Sequence, residues 1–154
     1  MNGEELIKNL GQKLGLDLEP DETRSCNFSA DDMTITVTFM EEMDILVLVG
    51  DLGTPPDFDR ERLYKLMLEA NYLYSATQGA SLALNEADGH VCLNRFFPVQ
   101  LLDDNSFYSH VERFINIGTF WMQVIRDLAL APEPEAKNET GSGDMEFFSE
   151  FMTV

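Results

Sequence analysis

The polar and apolar positions switch between two periods along the chain. Leu6, Ile7, Leu10 and Leu14 recur at helical spacing, Asn2 stands three residues before Glu5, and Gly15 follows Lys13. This predicts a short helix with a reciprocal Asn–Glu cap at its start and a glycine stop. A first strand is expected over 24–28, with Cys26 and Phe28 on one side. Met33, Ile35, Val37 and Phe39 then alternate with Thr34, Thr36 and Thr38, the two-residue period of a half-buried strand. Ile45-Leu46-Val47-Leu48-Val49 is apolar at every position, so both faces are covered or one face meets a partner. Short connections at 30–32 and 41–44 predict a meander, and Gly50-Asp51-Leu52-Gly53 reads as the turn that ends it.

Pro55-Pro56 precede a second helix, expected over 59–77 and stopped by Gly79. It carries two apolar stripes. Leu63, Leu66, Met67, Ala70, Leu73 and Tyr74 form one; Tyr64, Leu68 and Tyr72 form the other. A helix with two apolar stripes has two things to bury against. A hairpin follows, 81–85 and 91–97, turning at Asp88-Gly89 and ended by Pro98. The last helix runs from 105 or 106 to 129, with Phe107, Val111, Phe114, Gly118, Trp121, Ile125 and Leu128 on its stripe. The order α-β-β-β-α-β-β-α predicts an α+β domain: an antiparallel sheet with helices on one face.

Composition divides the chain. Residues 131–143 read APEPEAKNETGSG, which is linker chemistry, so one domain is expected over 1–130 and an acidic tail over 131–154. The 154 residues carry 28 acidic and 10 basic side chains, and residues 1–130 alone hold 22 and nine. That balance lacks the Lys/Arg footprint of a nucleic-acid binder and disfavours an anionic membrane surface. No apolar run approaches the roughly 18 residues of a membrane span, and the N-terminus lacks the features of a secretory signal. Cys26 and Cys92 form neither a CxxC nor a disulfide framework, as expected of a reducing cytoplasm. The net charge keeps a sticky surface soluble; steering of basic stretches of a partner is the sharper reading.

Catalytic constellations are not visible. His90 and His110 stand twenty residues apart with no ligand spacing, so no metal site is expected. The acid pairs Glu4-Glu5, Asp31-Asp32, Glu41-Glu42 and Asp103-Asp104 lie on expected turns and helix starts, where adjacent carboxylates point apart. No phosphate loop, nucleophile elbow, dinucleotide fingerprint or calcium loop occurs. Neither a cofactor nor an enzymatic activity is expected.

What remains is apolar surface in excess of one small sheet's needs. It suggests a homodimer that also offers apolar grooves to an extended peptide. The second stripe, Tyr64, Leu68 and Tyr72, with Leu82 and Leu84 close by in sequence, is the candidate dimer interface. Leu6, Ile7, Leu10 and Leu14 with Phe28, Ile35 and Val37 are the candidate cargo groove, simple core packing being the alternative. In the tail, Phe147, Phe148, Phe151 and Met152 would share one face of a helix, the form of a motif that folds on docking; a disordered end is the alternative.

The order of elements, with the stretch Leu66-Met67-Leu68-Glu69-Ala70-Asn71-Tyr72-Leu73-Tyr74, then Gly79, then strands closing on Arg95-Phe96-Phe97-Pro98, resembles the class I type III secretion chaperones of the Tir-chaperone-like family. The likeness covers about residues 1–130 and rests on diffuse apolar patterns. It implies a bacterial cytoplasmic homodimer without ATPase activity. Such a protein binds the N-terminal segment of secreted effectors, holds it extended and delivers it to the secretion machine. The tail motif would then contact the secretion ATPase, a regulator or the chaperone's own groove. A dimeric adaptor or regulator with no role in export carries the same patterns.

Overall fold

The computed structural model describes residues 1–130; the tail motif Phe147, Phe148, Phe151 and Met152 lies outside the described residues. Helix α1 spans Gly3–Leu14. Asn2 and Glu5 form the reciprocal cap, and Gly15 closes the helix in the left-handed region at φ 71°. Strands β1 (Ser25–Ala30), β2 (Met33–Met40) and β3 (Ile45–Gly53) follow. Asp31 and Asp32 both take positive φ, 48° and 67°, which suits the tight two-residue turn joining β1 to β2. Helix α2 (Arg60–Asn71), the hairpin β4 (Ser81–Leu84) and β5 (Val91–Pro98), and helix α3 (Asp104–Leu130) complete the chain. The sheet is antiparallel in the order β1-β2-β3-β5-β4.

One face of the sheet is sealed. Ile35, Leu46, Leu48 and Leu93 lie with Trp121, Phe107 and Phe114 of α3 and with Leu6, Ile7 and Leu10 of α1, all at most 2 % exposed. The contact between α3 and the sheet is close enough to demand glycine. A Cβ on Gly118 would come within 2.5 Å of the Met33 sulfur, and one on Gly50 within 2.8 Å of the same atom. The long apolar stripe of α3 also buries Ile117 and Val124, which broaden it beyond a single row.

The other face is not covered among the described residues. Ile45, Val47 and Val49 are half-buried and Phe96 is 66 % exposed. Strand β3 is therefore apolar on both faces with only one of them packed. It also runs on to Gly53, because residues 50–53 pair with β5 through a bulge between Asp51 and Gly53 rather than ending in a turn.

The largest departure from the sequence pattern is α2. It stops at Asn71, and Tyr72–Tyr74 form a tight turn in which Leu73 and Tyr74 take φ of 53° and 54°. Leu73 and Tyr74 thereby leave the buried stripe and are 79 % and 51 % exposed. Asn71 gives the physical reason. Its side chain donates to the Leu82 carbonyl at 3.0 Å and accepts from the Leu82 N–H at 2.8 Å. A residue so engaged with the edge of β4 fixes where the helix must end. The Trp121 indole N–H, bonded to the Ala76 carbonyl at 3.0 Å, pins the loop beyond.

Candidate partner-binding surfaces

The candidate cargo residues are mostly core. Leu6, Ile7, Leu10, Ile35 and Val37 are at most 2 % exposed and Phe28 is 8 % exposed. Only Leu14, in the last turn of α1, is partly open. They do come together, but α1 packs this stripe against β2 and α3, so no open groove is left there. A helix with one stripe satisfies it in one contact, and here that contact is internal.

The candidate dimer residues divide. Leu82 is buried at 5 %, the inward residue of β4 beneath α2, and is not on the surface. Leu68, Tyr72 and Leu84 are 71 %, 74 % and 47 % exposed, and Tyr64 is half-buried. Tyr64, Leu68 and Tyr72 line a shallow groove along α2 with Glu61, Lys65 and Glu69 at its sides. Leu73 and Tyr74 add two further exposed apolar side chains. Bulky residues in the left-handed region cost on the order of 1–3 kcal/mol each, so this presentation is held by its surroundings rather than by local preference. The Ser75 hydroxyl donating to the Glu69 carbonyl and the Ala76 N–H donating to the Ala70 carbonyl supply part of that hold.

The sheet has two edges and they differ. On β4 the outward N–H and C=O of Leu82 are already taken by Asn71. On β1 the outward groups of Ser25 are taken too, by the Asp21 carboxylate at 3.1 Å and the Asp21 N–H at 2.9 Å. The two-residue period then turns the N–H and C=O of Asn27 and Ser29 in the same outward direction. Strand β1 thus offers an open edge, beside Cys26 and Phe28 on one face and Asn27 on the other.

The structure also brings together what the sequence spacing kept apart. The bulge region of β3 sets Asp51 beside the β4–β5 turn. His90 Nδ1 lies 3.0 Å from both Asp51 carboxylate oxygens and 3.6 Å from Asp88 Oδ2. The hydrogen bond that the imidazole donates to Asp51, then the charges of Asp51 and Asp88, hold His90 above its ordinary pKa. The attraction to the imidazolium is present below the ordinary histidine pKa and is lost as pH rises through the raised value. Asp51, Asp88 and His90 are the group among the described residues that could hold a cation. Asp51 is 39 positions from His90, so only the strand register could have shown the pairing. This group is exposed or half-exposed, and the thiol beside it, Cys92, pairs across the strands with Asp51 and is held above its ordinary pKa by burial, then by Asp51 and Asp88.

A family model described as the Tir chaperone protein (CesT) family matches residues 5–122. The chain belongs to the Tir chaperone family. A Chlamydia pneumoniae protein is 31% identical over 136 residues, covering 84% of this chain and 98% of its own length. Among solved structures, the ExsC–ExsE complex aligns at a TM-score of 0.70 and 18% identity, covering 81% of this chain and 97% of that one. The HopA1–SchA chaperone–effector complex aligns at 0.62 and 22%, covering 80% and 91%. The Yersinia pestis type III secretion chaperone SycH, bound to a fragment of YscM2, aligns at 0.60 and 18%, covering 76% and 97%. At these identities the solved structures establish a shared fold. Within the Tir chaperone fold, Ala70-Asn71 has a physical task here: Ala70 is fully buried and Asn71 closes the β4 edge. No helix of the described residues is long and apolar enough to cross a membrane.

Proposed function

We propose that this Tir chaperone family member is a cytoplasmic type III secretion chaperone. It binds the N-terminal segment of one or more effectors and keeps it extended for export. The observation that carries the reading is an open strand edge on β1 beside an uncovered apolar sheet face. A strand added to β1 would bond through the free groups of Asn27 and Ser29, and apolar side chains farther along the segment would cover Val47, Val49 and Phe96. Neither contact involves bond-making chemistry, in keeping with a family of chaperones.

Asn27→Pro tests the edge. Its N–H points away from β2, so proline removes a docking donor without removing a ladder bond. With the first hundred or so residues of a candidate effector co-expressed, the variant is expected to weaken the complex at least about tenfold, the loss of one or two main-chain bonds. Its own melting temperature should stay within a few degrees. Unchanged affinity would remove β1 from the cargo site. Failure of the wild-type chain to protect any secreted protein's N-terminal segment from protease would remove the chaperone reading itself.

The second surface serves self-association. The ridge of Tyr64, Leu68 and Tyr72, extended by Leu73, Tyr74 and Leu84, is the patch we assign to an isologous two-fold contact. Leu68→Glu is expected to convert a dimer to a monomer in size-exclusion chromatography with light scattering. Its melting temperature should change little, because Leu68 is 71 % exposed. A wild-type chain that is monomeric at micromolar concentration would exclude this assignment.

A further inference from the structure

Positive charge is scarce on this chain, and three basic groups share one place. Arg95 on β5 lies close enough to His110 and Arg113, one turn apart on α3, for their charges to act on one another. The Arg95 guanidinium stands 4.7 Å from the Phe97 ring centroid, and Nη1 donates to the Gln78 carbonyl at 3.2 Å. It also fills the space beside Gly79, where a Cβ would fall 3.1 Å from its central carbon. The Phe97 ring lies 5.0 Å from the His110 ring. The group is therefore fixed by packing on several sides.

No carboxylate pairs with Arg95, His110 or Arg113 among the described residues. Glu112, the acid next to them in sequence, acts on Tyr108, whose hydroxyl it holds above its ordinary pKa. Burial first, then Arg95 and Arg113, hold the His110 imidazole below its ordinary pKa. Arg95 is itself lowered by burial and by Arg113. With 22 acids in residues 1–130 and none of them paired to these groups among the described residues, the notch is a local reversal of the molecule's field.

We propose that this notch is a docking site for carboxylates of the chain's own C-terminal segment, residues 144–152. The segment reads Asp-Met-Glu-Phe-Phe-Ser-Glu-Phe-Met. Glu146 and Glu150 stand at adjacent-turn spacing, each with a phenylalanine directly after it. A guanidinium accepts a carboxylate at its edge and an aromatic ring over its face, so the two chemistries of the segment match the two faces of an arginine. The acidic surface as a whole repels a tail carrying six acids and one lysine, which favours a place where three basic groups gather. Reach allows it. Arg113 stands about 25 Å along α3 from Leu130, at about 1.5 Å per residue. Residues 131–143 span up to about 43 Å when extended.

The test uses the full chain and does not depend on any effector. The His110 ring protons are followed by NMR across pH at low salt. The double variant Glu146→Gln, Glu150→Gln is expected to lower the His110 midpoint by about 0.4 unit, the effect of one carboxylate about 8 Å away in water. High salt should erase the difference. Arg113→Gln, at an exposed position, should shift the amide signals of residues 144–152 toward their high-salt positions. Identical His110 midpoints with and without the tail charges would overturn the proposal. So would tail amides that ignore Arg113→Gln. A midpoint that varies with protein concentration would assign the docking to a neighbouring copy's tail and overturn the intramolecular reading.

Discussion

Ile7→Asp is expected to abolish folding of the isolated chain. Ile7 is fully buried where α1 meets the sheet and α3. A carboxylate there would sit in the apolar core cluster, and an unpaired buried charge costs more than about 4 kcal/mol. That approaches the whole stability of a domain of this size, about 5–15 kcal/mol. Leu14→Asp, half-exposed in the last turn of the same helix, should cost under about 1 kcal/mol by comparison. Circular dichroism on heating separates them: the first variant should show no cooperative transition, and the second should melt near wild type. An Ile7→Asp chain that melts within a few degrees of wild type would mean that α1 stands off the sheet, and its stripe would again be an open groove.

Asn71→Ala is expected to cost about 2 kcal/mol and to promote aggregation. It deletes two hydrogen bonds to Leu82 and leaves a part-buried N–H and C=O without partners. The reopened edge of β4 is then a template for another strand. Asn71→Asp is no remedy: it keeps the acceptor for the Leu82 N–H but turns an acid toward the Leu82 carbonyl. Urea unfolding followed by light scattering reads both effects. Unchanged stability in Asn71→Ala would show that solvent replaces the side chain freely.

Much of this fold was legible because period and punctuation agree along most of the chain. The Asn2–Glu5 cap, the Thr34-Thr36-Thr38 alternation and the Asp88-Gly89 turn are local signals, and each element they mark is in place. The end of α2 was not legible. Apolar spacing continues through Leu73 and Tyr74, and the force that ends the helix is a bond from Asn71 to a strand eleven residues on. The family likeness flagged Ala70-Asn71 without giving its reason. The candidate sites were legible in part. The exposed ridge at Tyr64, Leu68 and Tyr72 followed from a second stripe with nothing left to cover it. Leu6, Ile7, Leu10, Phe28, Ile35 and Val37 are buried in this chain, the alternative to a groove that spacing left open, because an apolar stripe looks the same whether it faces a partner or the chain's own core. The open edge of β1 and the Asp51–His90 contact depend on strand register, which spacing alone does not fix.

The close seat of Met33 bears on how the molecule meets oxidants. Its sulfur lies against the bare backbone of Gly50 and Gly118 and is fully shielded from solvent, whereas Met40 and Met43 are 41 % and 57 % exposed. A sulfoxide oxygen adds bulk and polarity at a place that cannot accept even a methyl group without something shifting. Peroxide can therefore modify Met40 and Met43 on the intact molecule. It reaches Met33 only when α3 has lifted from the sheet, and the oxidised side chain then resists its return. Damage at that one sulfur would thus record, irreversibly in the absence of a reductase, each occasion on which the core had been open.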